Sequence, residues 1–129
     1  GRDFVASIGA GYRAPYLWEA AQRMDDGFDA DALRSMDYEE ACKTIRTFKG
    51  VGEKVADCVL LFSCGQKSAF PVDTWVEKLL TQWYGMSGTR SGLKKQARAH
   101  FGSYGGLAQQ MLFASAMQQR LRRTEEKNT

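Results

Sequence analysis

Three side chains at helical and loop spacing carry the chemistry of this sequence: Lys54, Cys58 and Asp73. Lys54 falls in the first turn of an expected helix, where the positive end of the helix dipole disfavours a cation. A lysine partly desolvated there has its ammonium form destabilised, which makes an amine a nucleophile near neutral pH. Cys58 follows four residues later, so both side chains leave one face of the helix. A small, soft side chain beside a reactive amine suits the wall of a base-binding pocket. Asp73 precedes an apolar helix and is placed to cap it. Its second carboxylate oxygen could also face a reacting sugar and stabilise an oxocarbenium-like transition state. Each residue has a plainer alternative: an exposed lysine, a buried core cysteine and a purely structural cap.

The elements that must position these groups are helices. Apolar residues recur at helical spacing, and no alternating strand pattern of useful length occurs. One helix is expected over Pro15 to Met24, then a short one capped by Asp29. Asp37 starts a third, with Glu40 three residues on as in a capping box, running to about Thr47. A fourth covers about Glu53 to Cys64, and Gly65 to Val72 is a loop. Asp73 opens a fifth helix carrying Val76, Leu79, Leu80 and Trp83. Ser91 to Phe101 and Tyr104 to Leu121 complete the set, with Gly102 ending the first of these. The expected class is all-α, a helical bundle. Residues 1–121 form one helical domain, and 122–129 a polar, disordered tail.

Between the third and fourth helices runs Phe48-Lys49-Gly50-Val51-Gly52-Glu53-Lys54, the pattern of a helix-hairpin-helix element. Small residues there let a phosphate approach backbone N–H groups at a helix start. The turn carbonyls can hold a monovalent cation that bridges to the phosphate. A tight connection between helices, without ligand, has the same pattern.

Composition narrows the field. The 129 residues are 43% hydrophobic and 26% charged, which is globular. No apolar run approaches the ~20 residues needed to span a bilayer, and no signal peptide opens the chain. Three cysteines and one histidine leave few metal-site options. Cys58 and Cys64 fit neither a CxxC pair nor a four-cysteine cluster. The odd cysteine count favours a reducing cytoplasm. Residues 1–87 hold 10 Lys+Arg against 13 Asp+Glu, whereas residues 88–129 hold 8 against 2. That basic last third fits a polyanionic partner or a solvated surface. The chain opens on Gly-Arg-Asp-Phe, as a fragment would.

The segment Gly50 to Cys58 (GVGEKVADC), with Pro71-Val72-Asp73 beyond it, resembles the helix-hairpin-helix glycosylase superfamily, and within it the 8-oxoguanine DNA glycosylases. Gly9 to Ala14 (GAGYRA) is similar to that family's glycine-tyrosine-arginine segment, and Gly106 to Phe113 (GLAQQMLF) to its last helix. The resemblance implies a DNA glycosylase and lyase of base-excision repair, removing 8-oxoguanine from duplex DNA. It makes Lys54 the nucleophile that attacks deoxyribose C1′ and forms a Schiff base, and Asp73 the carboxylate that assists base departure. It places Cys58 and Phe113 on either side of the flipped base, with Gln109 reading its Watson–Crick edge. Tyr12 becomes a wedge at the estranged base and Arg13 a contact to the opposite cytosine. Lys49, Gly50, Val51 and Gly52 contact DNA at the hairpin. The carbonyls of Arg46, Phe48 and Val51 match positions that hold a monovalent cation, and no other cofactor is required.

The sequence departs from the family pattern in three respects. Lys49 replaces a frequent proline, and Trp75 stands near a position where some members carry a phosphate-contacting histidine. The family's N-terminal sheet domain, which supplies part of the pocket, is absent from these residues and would be a partner. A monomer with no membrane association is expected, in the cytoplasm or on a bacterial nucleoid. Competing readings are a non-catalytic DNA-binding module, a helical packing domain and a glycosylase of other base specificity.

Overall fold

The structure, a computed structural model, describes Asp3, Ser7, Gly9 and residues 11–128. Among these there is no strand, as an all-α chain requires. The chain divides into two compact units, residues 1–65 and 66–129.

In the first unit a 3₁₀ turn, Gly11–Arg13, leads into α1, Ala14–Asp25, which carries Pro15 in its first turn. A second 3₁₀ turn, Asp31–Arg34, follows, and the Asp29 carboxylate accepts a hydrogen bond from the Ala32 N–H at 3.3 Å. Helix α2 spans Tyr38–Ile45, and α3 spans Glu53–Phe62. Asp37 caps α2 by accepting from the Glu40 N–H at 2.9 Å. Helix α2 stops two residues before Thr47 because its last turn tightens. The Thr47 hydroxyl donates to the Thr44 carbonyl at 2.6 Å, and the Phe48 N–H to the Ile45 carbonyl at 3.2 Å. Helix α3 likewise ends at Phe62, short of Cys64.

Phe48 anchors the hairpin turn. It is buried, meets the Phe28 ring edge-on at 4.8 Å, and lies under the Arg23 guanidinium, 3.9 Å from the ring centre. Arg23 also donates to the Thr47 hydroxyl at 2.9 Å, so α1 grips the turn at two adjacent residues.

The second unit contains α4, Thr74–Tyr84, α5, Arg90–Phe101, and α6, Gly105–Lys127. Its core is Phe70, Val72, Val76, Leu79, Leu80, Met86, Leu93, Ala97, Leu112 and Ala116. Helix α4 ends at Gly85 in the left-handed conformation (φ +65°). The Met86 N–H reaches back to the Leu80 carbonyl at 3.2 Å, the pattern of a Schellman cap. Thr89, unrecognised as a cap in the sequence, accepts from the Gly92 N–H at 3.1 Å and starts α5 at Arg90.

Helix α6 corrects the expected tail. It continues through Lys127 instead of ending at Leu121. Nothing from Arg122 to Lys127 breaks a helix: no glycine or proline occurs, and arginine, glutamate and lysine are good helix formers. The cations near its end also complement the dipole.

The hairpin turn depends on Gly50. Its φ is +85°, and a Cβ there would lie 2.5 Å from Cδ2 of the Tyr16 ring. Gly50→Ala should therefore lose about 2 kcal/mol or more of stability, from the left-handed backbone and the ring contact together. Adding Tyr16→Ala should relieve only the contact, giving partial recovery in a comparison of denaturant unfolding midpoints.

Candidate active site

Helix α3 sorts its side chains by face. Ala56, Asp57 and Leu60 point into the unit and are buried. Val55 and Val59 border a hollow of about 700 Å³. Lys54 and Cys58, four residues apart, form a third stripe. Lys54 is exposed and Cys58 half-buried. The partial desolvation expected of Lys54 is thus not present in the chain alone, because a second-residue position on a helix facing solvent buries little of the side chain.

The start of α3 is open. Its N-cap is Gly52, which has no side chain to satisfy the first N–H groups, and a Cβ there would meet nothing within 4 Å. The adjacent turn is closed by the Val51 N–H donating to the Phe48 carbonyl at 3.2 Å. A carbonyl has two lone pairs, so the Phe48 oxygen keeps one acceptor position. Lys49 is exposed and pairs with Glu19 at 3.8 Å, both side chains largely in solvent. An exposed pair of this kind holds its partners weakly.

The hollow gathers several of the residues singled out in the sequence. Tyr12, Arg13, Lys49, Gly50 and Val51 all border it, with Tyr16 and Leu17 of α1 between them. Tyr12 is 73% exposed, and the Arg13 guanidinium lies 4.6 Å from its ring centre. Of the Gly9 to Ala14 segment, Ala10 lies outside the described residues.

Asp73, Gln109 and Phe113 belong to the second unit. Asp73 accepts from the Val76 N–H at 2.8 Å through one oxygen, which confirms the cap. Phe113 is at the surface. Gln109 is buried (5% exposed), with its carbonyl oxygen accepting from the Gln110 amide at 2.6 Å. The start of α6 is pinned from below. The Gly106 N–H donates to the Lys67 carbonyl at 2.8 Å, and a Cβ on Gly105 would stand 3.0 Å from the Ser68 carbonyl oxygen.

One residue next to Cys58 was missed. Asp57 is 1% exposed, and its Oδ1 accepts from the Tyr38 hydroxyl and, at 3.8 Å, from the Cys42 thiol. Both donors sit on α2, so a buried carboxylate ties together the two helices that flank the hairpin. The available signal was a charged residue on the apolar side of EKVADCVLLF. Burial first, and then the Asp57 carboxylate, push the Tyr38 phenol far above its ordinary value.

No family model matches the chain. It is 34% identical over 113 residues to a probable N-glycosylase/DNA lyase of Methanothermobacter thermautotrophicus, covering 87% of this chain and 36% of that protein. It is 35% identical over 122 residues to the N-glycosylase/DNA lyase OGG1 of Arabidopsis thaliana, covering 84% and 33%. The crystal structure of Clostridium acetobutylicum 8-oxoguanine glycosylase/lyase, with double-stranded DNA containing cytosine opposite 8-oxoguanine, is similar with a TM-score of 0.85. The identity is 34%, over 93% of this chain and 42% of that one. The chain spans about a third of the length of the curated relatives it matches.

Two helices joined by a glycine turn, with a lysine on the first turn of the second, form a helix-hairpin-helix element, and the relatives place it in the glycosylase class. Within that class, the chain belongs to the family of the 8-oxoguanine DNA glycosylases, the N-glycosylase/DNA lyases.

The Tyr38–Asp57 bond has a measurable signature. The unfolded phenol loses its proton near pH 10, while the native one keeps it to higher pH. The stability this bond contributes is complete below pH 10 and is lost as pH rises above it. Tyr38→Phe should cost about 2 kcal/mol at pH 7. It should also flatten the fall in stability above pH 10, read from urea unfolding at pH 7 and 10.5.

Proposed function

We propose that the protein carrying this chain is a DNA glycosylase and lyase that removes 8-oxoguanine from duplex DNA, with Lys54 as its nucleophile. The observation that carries this reading is the exposed Lys54 on the first turn of α3, directly behind an uncapped glycine turn. A helix start with no side-chain cap favours a phosphate, and the lysine beside it favours an electrophilic sugar carbon. Relatives named N-glycosylase/DNA lyase and 8-oxoguanine glycosylase/lyase support it.

The chemistry follows from these groups. With its proton removed, the Lys54 amine forms a bond to C1′ while the glycosidic C1′–N9 bond breaks. The base departs with that electron pair and takes up a proton. Asp73 keeps one oxygen on the α4 cap, and its negative charge stabilises the positive charge that develops on the sugar. Ring opening gives an imine, and loss of a C2′ proton then expels the 3′ phosphate by β-elimination. The bound DNA covers Lys54 and supplies the desolvation the isolated chain lacks. The base must leave the stack to be reached. Cys58 and Phe113 flank it, and the Gln109 amide, able to donate and accept, reads its edge.

Tyr12 fills the space beside the estranged base, and Arg13 contacts the opposite cytosine. Lys49, Gly50, Val51 and Gly52 hold the backbone at the hairpin. A monovalent cation on the carbonyls of Arg46, Phe48 and Val51 would add charge for the phosphate, and those neutral oxygen donors suit such an ion. No helix among the described residues is long and apolar enough to cross a membrane. The place of action follows the substrate, genomic DNA in the cytoplasm or nucleoid, with the N-terminal part of the same protein as partner and the whole acting as a monomer.

Borohydride trapping tests this reading on a duplex with one 8-oxoguanine opposite cytosine, beside undamaged and abasic duplexes. Trapping on the lesion is expected, and Lys54→Gln should remove it. A Lys54→Gln variant that traps at the wild-type rate would overturn the assignment. Asp73→Asn should slow base release at least 100-fold while leaving the melting temperature nearly unchanged, because asparagine caps as well as aspartate does. Trapping on abasic DNA alone would assign the lysine and remove 8-oxoguanine as the substrate.

A further inference from the structure

The second unit holds a cleft of about 310 Å³ between α4 and α6 that the proposed chemistry does not use. Trp75 and Lys78 border it from α4, and Arg120, Arg123 and Lys127 border it from α6. The three α6 cations follow at intervals of three and four, which puts them on one helix face. Lys78 Nζ is 4.9 Å and the Arg120 guanidinium 5.5 Å from the centre of the Trp75 ring. No aspartate or glutamate borders the cleft.

Four like charges around one cleft repel one another. Like charges at i, i+3 and i+4 also weaken a helix. The dipole at the C-terminal end of α6 offsets part of this for Lys127, but not for Lys78, which stands on another helix. An anion in the cleft removes the repulsion. The arginines offer planar, bidentate donors that match phosphate geometry. The half-buried Trp75 holds the first two cations in place through its ring face.

We propose that this cleft binds the phosphodiester backbone of DNA as a second contact, separate from the hairpin turn. The proposal rests on the reading that the protein acts on DNA. Its ligand chemistry is the phosphate group, and a backbone phosphate is favoured over a free ion. The cations extend along two turns of α6 beyond a single point, as a polyanion requires, and the last third of the sequence carries most of the excess positive charge.

The test is duplex binding at several salt concentrations, using the protein that carries this chain. Each phosphate neutralised adds about 0.9 to the slope of log affinity against log salt. An Arg120→Ala/Arg123→Ala variant should lower that slope by about 2 and weaken binding on the order of tenfold at ~0.1 M salt. Lys95→Ala, an exposed lysine outside the cleft, should leave the slope nearly unchanged. Lysine-dependent trapping should persist in the double variant.

A wild-type slope in the double variant, with trapping intact, overturns the cleft and leaves the proposed activity standing. An equal fall in slope for Lys95→Ala overturns it too, since any surface charge would then serve. Inorganic phosphate is the other probe. If millimolar phosphate perturbs Trp75 fluorescence (Trp75→Phe as control) while the DNA slope stays unchanged, the cleft is a small-ion site and the proposal fails. A wild-type protein that neither binds nor traps DNA overturns the proposed activity and the cleft with it.

Discussion

The close approach of Gly50 to the Tyr16 ring governs the first unit. A short turn between two packed helices must redirect the chain in a few residues. Here it does so with a left-handed residue pressed against an aromatic face. Only glycine fits both demands. Once the turn is set, the Val51–Phe48 hydrogen bond closes it and Gly52 begins α3 without a side-chain cap. No side chain caps the start of α3 as a consequence, and Lys54 is carried to the same end of the helix. Phe48, clamped between Phe28 and Arg23, keeps the turn against the body of the unit.

Below the turn, the two helices are tied by a buried charge. Removing Asp57 from water is costly, and the Tyr38 and Cys42 donors offset that cost. Apolar packing would tolerate some sliding of α2 along α3. A carboxylate with directional partners does not, since a shift of one ångström breaks its bonds. Asp57 sits between Lys54 and Cys58 in sequence but on a different face. Its bonds therefore fix the helix rotation that points those two outward.

Capping residues and the glycine turn were legible in the sequence because their signals are local. Asp37, Asp73 and Gly102 act on atoms within a few residues of themselves. The hairpin was legible for the same reason. What the sequence did not disclose depends on pairs distant along the chain. Asp57 meets Tyr38 across 19 positions, and Gly50 meets Tyr16 across 34. Arg120 of α6 faces a tryptophan 45 positions earlier. The continuation of α6 was missed for another reason. Polar composition resembles disorder, yet arginine, glutamate and lysine propagate a helix that a packed segment has already nucleated. For Lys54 the sequence left partial burial and exposure both open, because helix position sets the local field but not the burial; the side chain is exposed.

That lysine shows how local cost and ligand chemistry are connected. On the first turn of α3, Glu53 agrees with the helix dipole and Lys54 opposes it, by roughly 0.3–1 kcal/mol. In the chain alone this is a small loss of stability, reduced by solvent because the side chain is exposed. A phosphate at the open N–H groups changes its sign. The anion satisfies the donors that Gly52 leaves bare and attracts the ammonium beside them. If Lys54 is the nucleophile proposed above, binding and attack make opposite demands on it: a phosphate favours the ammonium, whereas a bond to the sugar needs the free amine. On that proposal the demand is met by exclusion of water where substrate covers the face, because the helix position by itself leaves Lys54 exposed.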